Sequence, residues 1–384
     1  MDLPNSADVV IIGGGVMGAS AAYHLAQRGM KNIVLLEKES FFGQGATGRC
    51  AGGVRYQFAT EINIRLSLAS LPMLERFKEE IGQDVNFRRC GYLFVLTGEE
   101  DVSAFVRNVE LQRKLGVKTE WLDGEDIRKS LPLMRFEDAL AGTFHSKDGL
   151  VDPNSVVIGY IKAAQEMGVK ATTSAEVIGF RLNGDHVTEV ETRIGRIKTR
   201  SVLNAAGPWA GQIGKMAGIH IPITPLRRQM FTTNPLADLP ADFPFVIDFA
   251  QSLYFHREGE GLLVGMSNPN EKPGFDQSVD IDFELVNLEA AIERMPMLDK
   301  AQRVAHWAGL YEVTPDAHPI YGATDVNGFS ICAGFSGHGF MHGPISGKLM
   351  SEFLLDGKFS SVDVSMLDLK RFEEGRVIRE YNVV

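Results

Sequence analysis

A short apolar stretch, Val9 to Ile12, runs straight into Gly13-Gly14-Gly15-Val16-Met17-Gly18, and a helical pattern starts directly behind it. Strand, glycine turn and helix in that order confine this part of the chain to a β-α-β unit with room for a phosphate at its crossover. Gly13 permits the tight turn, Gly15 lets the backbone approach a pyrophosphate, and Gly18 allows close packing of helix on strand. The helix N-terminus adds unpaired N–H donors. The pattern predicts a helix over about Met17 to Arg28 and a second strand over Asn32 to Glu37. Glu37 follows Gly18 by 19 positions, where a carboxylate accepts hydrogen bonds from a ribose that carries no 2′-phosphate. The unit therefore expects FAD or NAD rather than NADP.

Further along, apolar residues at three- and four-residue steps from Ile64 to Ile81 predict a helix. Gly91 to Thr97 reads as a strand, and Val102 to Leu115 as an amphipathic helix. A helix returns over Pro153 to Gly168. Ala175 to Leu182 and His186 to Thr192 then flank Asn183-Gly184, a two-residue hairpin signal. Four short strands, Gln229 to Thr233, Phe245 to Phe249, Leu253 to His256 and Leu262 to Met266, suggest a mainly antiparallel sheet. The last strand, Phe329 to Ala333, leads through a glycine-rich turn to a helix starting near Pro344, with Gly357 just past its end.

With 384 residues and 44% hydrophobic content, the chain can bury a core in two lobes. Its 49 acidic and 39 basic residues leave a net charge of −10 with no basic run, which excludes a nucleic-acid partner. No stretch near the start approaches the roughly 18 apolar residues of a membrane span, and no signal peptide is read. Cys50, Cys90 and Cys332 form neither a disulfide framework nor a zinc pattern, so a cytoplasmic location and no metal are expected.

The segment Ala333-Gly334-Phe335-Ser336-Gly337-His338-Gly339-Phe340 resembles the second flavin-contacting loop of the D-amino-acid oxidase superfamily. Asn204-Ala205-Ala206-Gly207-Pro208-Trp209-Ala210 is similar to that family's third cofactor segment, and Thr314-Pro315-Asp316 precedes the last strand as it does there. The nearest group is that of the sarcosine oxidase and dye-linked L-proline dehydrogenase β subunits. The resemblance decides for FAD and implies an α/β fold. It further implies a Rossmann-like FAD-binding domain interleaved from residues 1–86, 145–222 and 305–384, and an α+β substrate domain with a mainly antiparallel sheet over 87–144 and 223–304. Glycines at 334, 337 and 339 clear room for a flat ring, and the helix behind them aims its positive end at the loop, where a reduced flavin is anionic.

Through the resemblance, cofactor contacts are expected from Gly13, Gly15, Val16, Met17, Gly18, Glu37, Lys38, Thr47, Arg49 and Cys50 at the N-terminal end. Val177, Ala205, Gly207, Trp209 and Gly309 contribute from the middle, and Gly334, Gly337, His338, Gly339, Phe340 and Met341 from the C-terminal end. Arg55 matches the arginine that binds the substrate carboxylate in sarcosine oxidases, a role that suits a planar guanidinium. Tyr254 and His256 lie two apart on a predicted strand, so both side chains share one face. With His338 they complete the catalytic candidates; Trp307 and Tyr311 are expected to wall the cavity.

Four departures carry information. Gly309 falls where monomeric sarcosine oxidases hold the cysteine that bonds to FAD, which implies a non-covalent flavin. Asp152-Pro153-Asn154 occupies the region of the histidine that anchors FMN in heteromeric enzymes, leaving a non-covalent FMN shared with a partner subunit as the further cofactor option. Leu263 stands in place of a lysine that promotes reaction with O₂, and Met341 in place of one that helps bind the carboxylate. The implied function is oxidation of the C–N bond of a secondary amino acid of the L-proline, hydroxyproline or sarcosine type, by hydride transfer to flavin N5. The chain would act as the catalytic β subunit of a dehydrogenase complex. A single-chain oxidase using O₂ and a flavin-bearing assembly factor without turnover are the alternatives.

Overall fold

A computed structural model describes residues 3–383. Strand Val9–Ile12 is buried along its whole length, as an unbroken apolar run requires when both faces of a parallel sheet are covered. It lies at the centre of a six-stranded sheet. Phe329–Ala333, Val202–Asn204, Val9–Ile12, Ile33–Leu36 and Lys170–Thr172 run parallel in that order, and Ile320–Ala323 pairs antiparallel at one edge.

Alternation along the central strands sorts their side chains between two layers. Val9, Ile11, Ile33 and Leu35 pack under the helices Val16–Gln27, Pro153–Glu166 and Gly339–Asp356. Val10, Ile12, Val34 and Leu36 pack on the opposite face, against a three-stranded meander through Val177, Val190 and Ile197. Within that meander His186 pairs with Asn183, so the turn is Gly184-Asp185 rather than the expected Asn183-Gly184. Gly184 takes φ 60°, and one positive-φ glycine at the first turn position closes the hairpin.

The C-terminal helix begins at Gly339, five residues before the expected start at Pro344. Proline often marks the first helical position, but here packing overrides that signal. A Cβ on Gly343 would lie 2.4 Å from Val16 Cγ2, and one on Gly347 would lie 2.4 Å from the Ala21 nitrogen. The helices Gly339–Asp356 and Val16–Gln27 therefore cross almost backbone to backbone, and Ser20 Oγ donates to the Pro344 carbonyl across the gap at 3.0 Å. The helix predicted over 64–81 is two, Glu61–Glu75 and Phe77–Ile81, separated at Arg76.

A second, eight-stranded sheet carries strands Arg303–Val313, Thr224–Thr233, Gly261–Met266, Leu253–Glu258, Phe245–Asp248, Tyr92–Leu96, Ala141–His145 and Glu120–Asp123 in that order. All neighbours are antiparallel except Phe245–Asp248 with Tyr92–Leu96. Strand Arg303–Val313 belongs almost wholly to the segment read as nucleotide-binding, yet it forms the edge of this sheet by pairing along Thr224–Thr233. Its partner, not its neighbours in sequence, fixes its place. No helix among the described residues is long and apolar enough to cross a membrane.

Between the sheets, Asp316 of the Thr314-Pro315-Asp316 turn meets Arg371 in a doubly bonded pair at 2.9 Å, both side chains almost fully buried. Burial would raise the Asp316 carboxyl, and the Arg371 guanidinium more than reverses this, holding it below the usual range. Arg371→Ala is expected to cost about 3–5 kcal/mol by stranding the carboxylate, measured by urea unfolding; a loss under about 1 kcal/mol, the size of an exposed pair, would contradict it.

Candidate active site

The first strand ends in a cavity of ≈ 290 Å³. Gly13, at φ 108°, turns the chain so closely over Ala205 that a Cβ would come within 2.4 Å of its carbonyl oxygen. Gly18 does not reach the cavity: a Cβ there would meet the Gly13 oxygen at 1.9 Å, so this glycine seats the helix beneath the turn. Gly15, Val16 and Met17 face the open space. Thr47 Oγ1 accepts from the Val16 N–H at 3.2 Å and ties the loop that carries Arg49 and Cys50 to the helix start.

Glu37 lines the same cavity with its carboxylate braced by the Gly14 N–H at 2.7 Å and the Glu39 N–H at 2.9 Å. Beside it the Lys38 ammonium sits 3.5 Å from the Trp209 ring centroid. Val177, Ala205, Gly207 and Trp209 complete this end. At the other end Gly337, Gly339 and Phe340 line the wall, and the first N–H groups of helix Gly339–Asp356 have no partner within the helix. A Cβ on Gly337 would lie 2.3 Å from the Tyr311 ring. Gly334 turns the chain against Thr314 and faces no cavity.

Glycine cradle, braced Glu37 carboxylate and unpaired helix N–H groups fit a dinucleotide along this cavity. An orphaned polar atom adds to the fit: Glu312 Oε2 is buried in the wall without a partner, while Oε1 accepts the Phe335 N–H at 3.2 Å.

A smaller chamber of ≈ 100 Å³ adjoins it, sharing Cys50, Leu310, Tyr311, Gly337 and Phe340 as common walls. Arg55, Arg49, Tyr254, Gly309, His338 and Met341 line it. The Arg55 guanidinium is buried, lies over the Phe58 ring at 3.9 Å, and donates to the carbonyls of Gln57 and Asn382. Burial pulls its pKa below the ordinary value, opposed by Tyr92, Glu380 and Asp148. His338 is enclosed with both ring nitrogens unpartnered by protein, and burial with His342 and Arg55 nearby lowers its pKa well below 6.5, so the ring is neutral. Burial likewise pushes the Cys50 thiol up to about 12.

His256 stays outside the chamber. It shares a strand face with Tyr254 but packs its ring 5.0 Å from Phe245, and burial lowers its pKa to about 4. Trp307 also falls behind the wall, its indole N–H bonded to the Arg49 carbonyl at 3.1 Å, whereas Tyr311 faces both cavities. Leu263 lies in an apolar cluster with Tyr92, Met230 and Tyr254. Asp152 caps helix Pro153–Glu166 through the Asn154 N–H and Ser155 hydroxyl. Glu312, Tyr92, Arg228, Phe245 and Val383 line the two cavities without having been read from sequence. For Glu312, an acid amid the apolar run Trp307 to Val313 was the available signal; the others depend on cross-strand pairing.

Without FAD, burial raises the Glu312 carboxyl to about 7, while the Gly334 and Phe335 N–H groups pull it down. The folded chain then keeps a proton that the unfolded chain releases near pH 4.5, so this stability is complete below that pH and is lost as pH rises through 7. Between pH 5 and 8 the apoprotein should lose on the order of 2 kcal/mol more than its Glu312→Gln variant, measured by urea unfolding. Parallel profiles would refute it.

A family model described as FAD dependent oxidoreductase matches residues 8–353. The chain is 32% identical over 387 residues to mitochondrial dimethylglycine dehydrogenase of Rattus norvegicus, covering 95% of this chain and 45% of that protein. It is 30% identical over 388 residues to mitochondrial sarcosine dehydrogenase of Homo sapiens, covering 96% and 42%. The chain thus spans less than half the length of these curated relatives. Among solved structures, L-proline dehydrogenase from P. horikoshii superposes with a TM-score of 0.90 at 34% identity, covering 98% of this chain and all of that one. Cavity, glycine turn and sequence kinship agree: the chain belongs to the FAD-dependent oxidoreductase family, as its resemblance to the D-amino-acid oxidase superfamily implied.

Proposed function

We propose that the chain oxidises the C–N bond of a small secondary or N-methylated amino acid of the proline, sarcosine or dimethylglycine type. The observation that carries this reading is Arg55, a buried cation in a small, largely apolar chamber that opens onto the flavin cavity. A guanidinium there gives one carboxylate a paired docking site and leaves the amine end to be placed by shape. The activities for which the relatives are named support the same substrate class.

Bound FAD supplies the hydride acceptor, and the protein supplies position and electrostatics. Arg55 fixes the carboxylate, Tyr254 and Tyr311 confine the substrate carbons, and neutral His338 offers a ring nitrogen without adding charge. The low polarity of the chamber favours the uncharged amine, which is the form that can surrender a hydride. The helix terminus at Gly339 to Met341 stabilises negative charge that develops beside it. We assign the electrons to an acceptor other than O₂. Leu263 provides no cation where the resemblance expects the lysine that promotes reaction with O₂. The match to the full length of the proline dehydrogenase chain supports a dehydrogenase of that kind.

Anaerobic addition of L-proline, sarcosine or dimethylglycine should bleach the flavin band, with reoxidation faster by an artificial dye than by air. No bleaching by any of these amines would overturn the reading, and rapid recovery in air alone would favour an oxidase. Arg55→Ala should raise KM by roughly 100-fold with flavin retained, the loss expected for a charged hydrogen-bond pair of about 3 kcal/mol; an unchanged KM would remove Arg55 from the site.

A further inference from the structure

Arg55 does not hold its own position. One N–H of each terminal nitrogen is donated to a main-chain carbonyl, Gln57 on its own strand side and Asn382 from a segment more than 300 residues away in sequence. Asn382 is fully buried, and its neighbour Val383 lines the substrate chamber. The segment around them belongs to no helix or strand, so the two sheets alone do not place it.

Glu380 places it. Its buried carboxylate accepts five hydrogen bonds: from the Ala59 N–H at 2.8 Å, the Thr60 N–H at 3.1 Å, the Thr60 hydroxyl at 2.7 Å, Asn63 Nδ2 at 3.0 Å and the Asn382 N–H at 3.0 Å. Four of these donors lie at the head of helix Glu61–Glu75, a few residues beyond Arg55; the fifth is the peptide N–H of the residue whose carbonyl holds Arg55. The Glu380 N–H donates to the Asp316 carbonyl at 3.1 Å, and Asn108 Nδ2 donates to Asn382 Oδ1 at 3.1 Å. Five donors converging on one carboxylate leave no room for an amide, which accepts through one oxygen only and would set its NH₂ against other donors.

We propose that Glu380 is the positioning residue for the substrate-binding arginine, acting through Asn382, and that the segment Glu380 to Val383 is a wall of the substrate chamber. The proposal rests on Arg55 taking the substrate carboxylate, as argued above. It follows that the strength of carboxylate recognition is set from outside the chamber. Glu380 touches neither cavity, so its loss should leave cofactor affinity and the apolar fit of a ligand in place while misdirecting the guanidinium.

The test uses FAD-loaded protein, with pyrrole-2-carboxylate and carboxylate-free pyrrole as probes titrated through their perturbation of the flavin spectrum. Glu380→Gln should weaken pyrrole-2-carboxylate by 10-fold or more while pyrrole and FAD stay within about twofold. With a turnover substrate, KM should rise while kcat changes less than threefold. Asn108→Leu, which loosens Asn382 more gently, should reproduce the selective loss in smaller degree and decides the matter if Glu380→Gln does not fold. Equal weakening of both probes would overturn the proposal by showing general loosening. Unchanged binding of both probes, with Arg55→Ala still selective against the carboxylate, would overturn it alone. An Arg55→Ala variant without that selectivity would overturn both it and the carboxylate reading.

Discussion

The near backbone-to-backbone crossing of helices Val16–Gln27 and Gly339–Asp356 is the contact on which the rest of the molecule depends. Gly343 and Gly347 carry no side chain where Val16, Ser20 and Ala21 press against them, and any larger residue would push the helices apart. Both helices point their N-termini at one cavity, the first through the Gly13 turn and the second through the Gly337 loop. A displacement of even 1 Å would part the Glu37 end of the site from the end beneath which chemistry is proposed. Packing in the helical layer thus fixes the length and polarity of the cofactor cavity.

The two cavities divide their electrostatics sharply. The larger holds carboxylates at Glu37 and Glu312, an ammonium at Lys38 and two helix termini. The smaller gathers the guanidiniums of Arg49, Arg55 and Arg228 with groups that burial keeps neutral: His338, Tyr254, Tyr311 and the Cys50 thiol. In surroundings of low polarity a buried guanidinium attracts an anion more strongly than it would on the surface. Such a charge must be held by carbonyl groups rather than by a carboxylate, since a direct counter-ion would compete with the ligand. Gln57 and Asn382 supply those carbonyls, and Glu380 stays one residue removed.

What was legible in the sequence was what is locally encoded. Strand, glycine turn and helix at Val9 to Gln27 follow from period and turn chemistry within thirty residues; Gly15 and Glu37, read from the same motif, and Thr47, read through the resemblance, line the larger cavity. Positions decided by distant partners were harder. Pro344 signalled a helix start because the constraint from Val16 and Ser20 lies more than 300 residues away. Tyr254 and His256 share a face, as alternation required, but the sheet outlasts the chamber and only Tyr254 reaches it. Trp307 turns its indole to Arg49 while Tyr311, four residues on, faces the cavities. Val383 carries no sequence signal, because its role comes from a carboxylate three positions earlier.

The Ser20–Pro344 contact joins residues 324 positions apart, and this has a consequence for biosynthesis. At about 5–20 residues per second, a ribosome needs roughly 15–60 s to deliver the second helix after the first. During that interval the alanine-rich face of Val16–Gln27 lacks its cover, and the glycine turn stands ready with only one end of its site built. The C-terminal wall of the cavity is therefore built only after more than 300 further residues have followed the glycine turn.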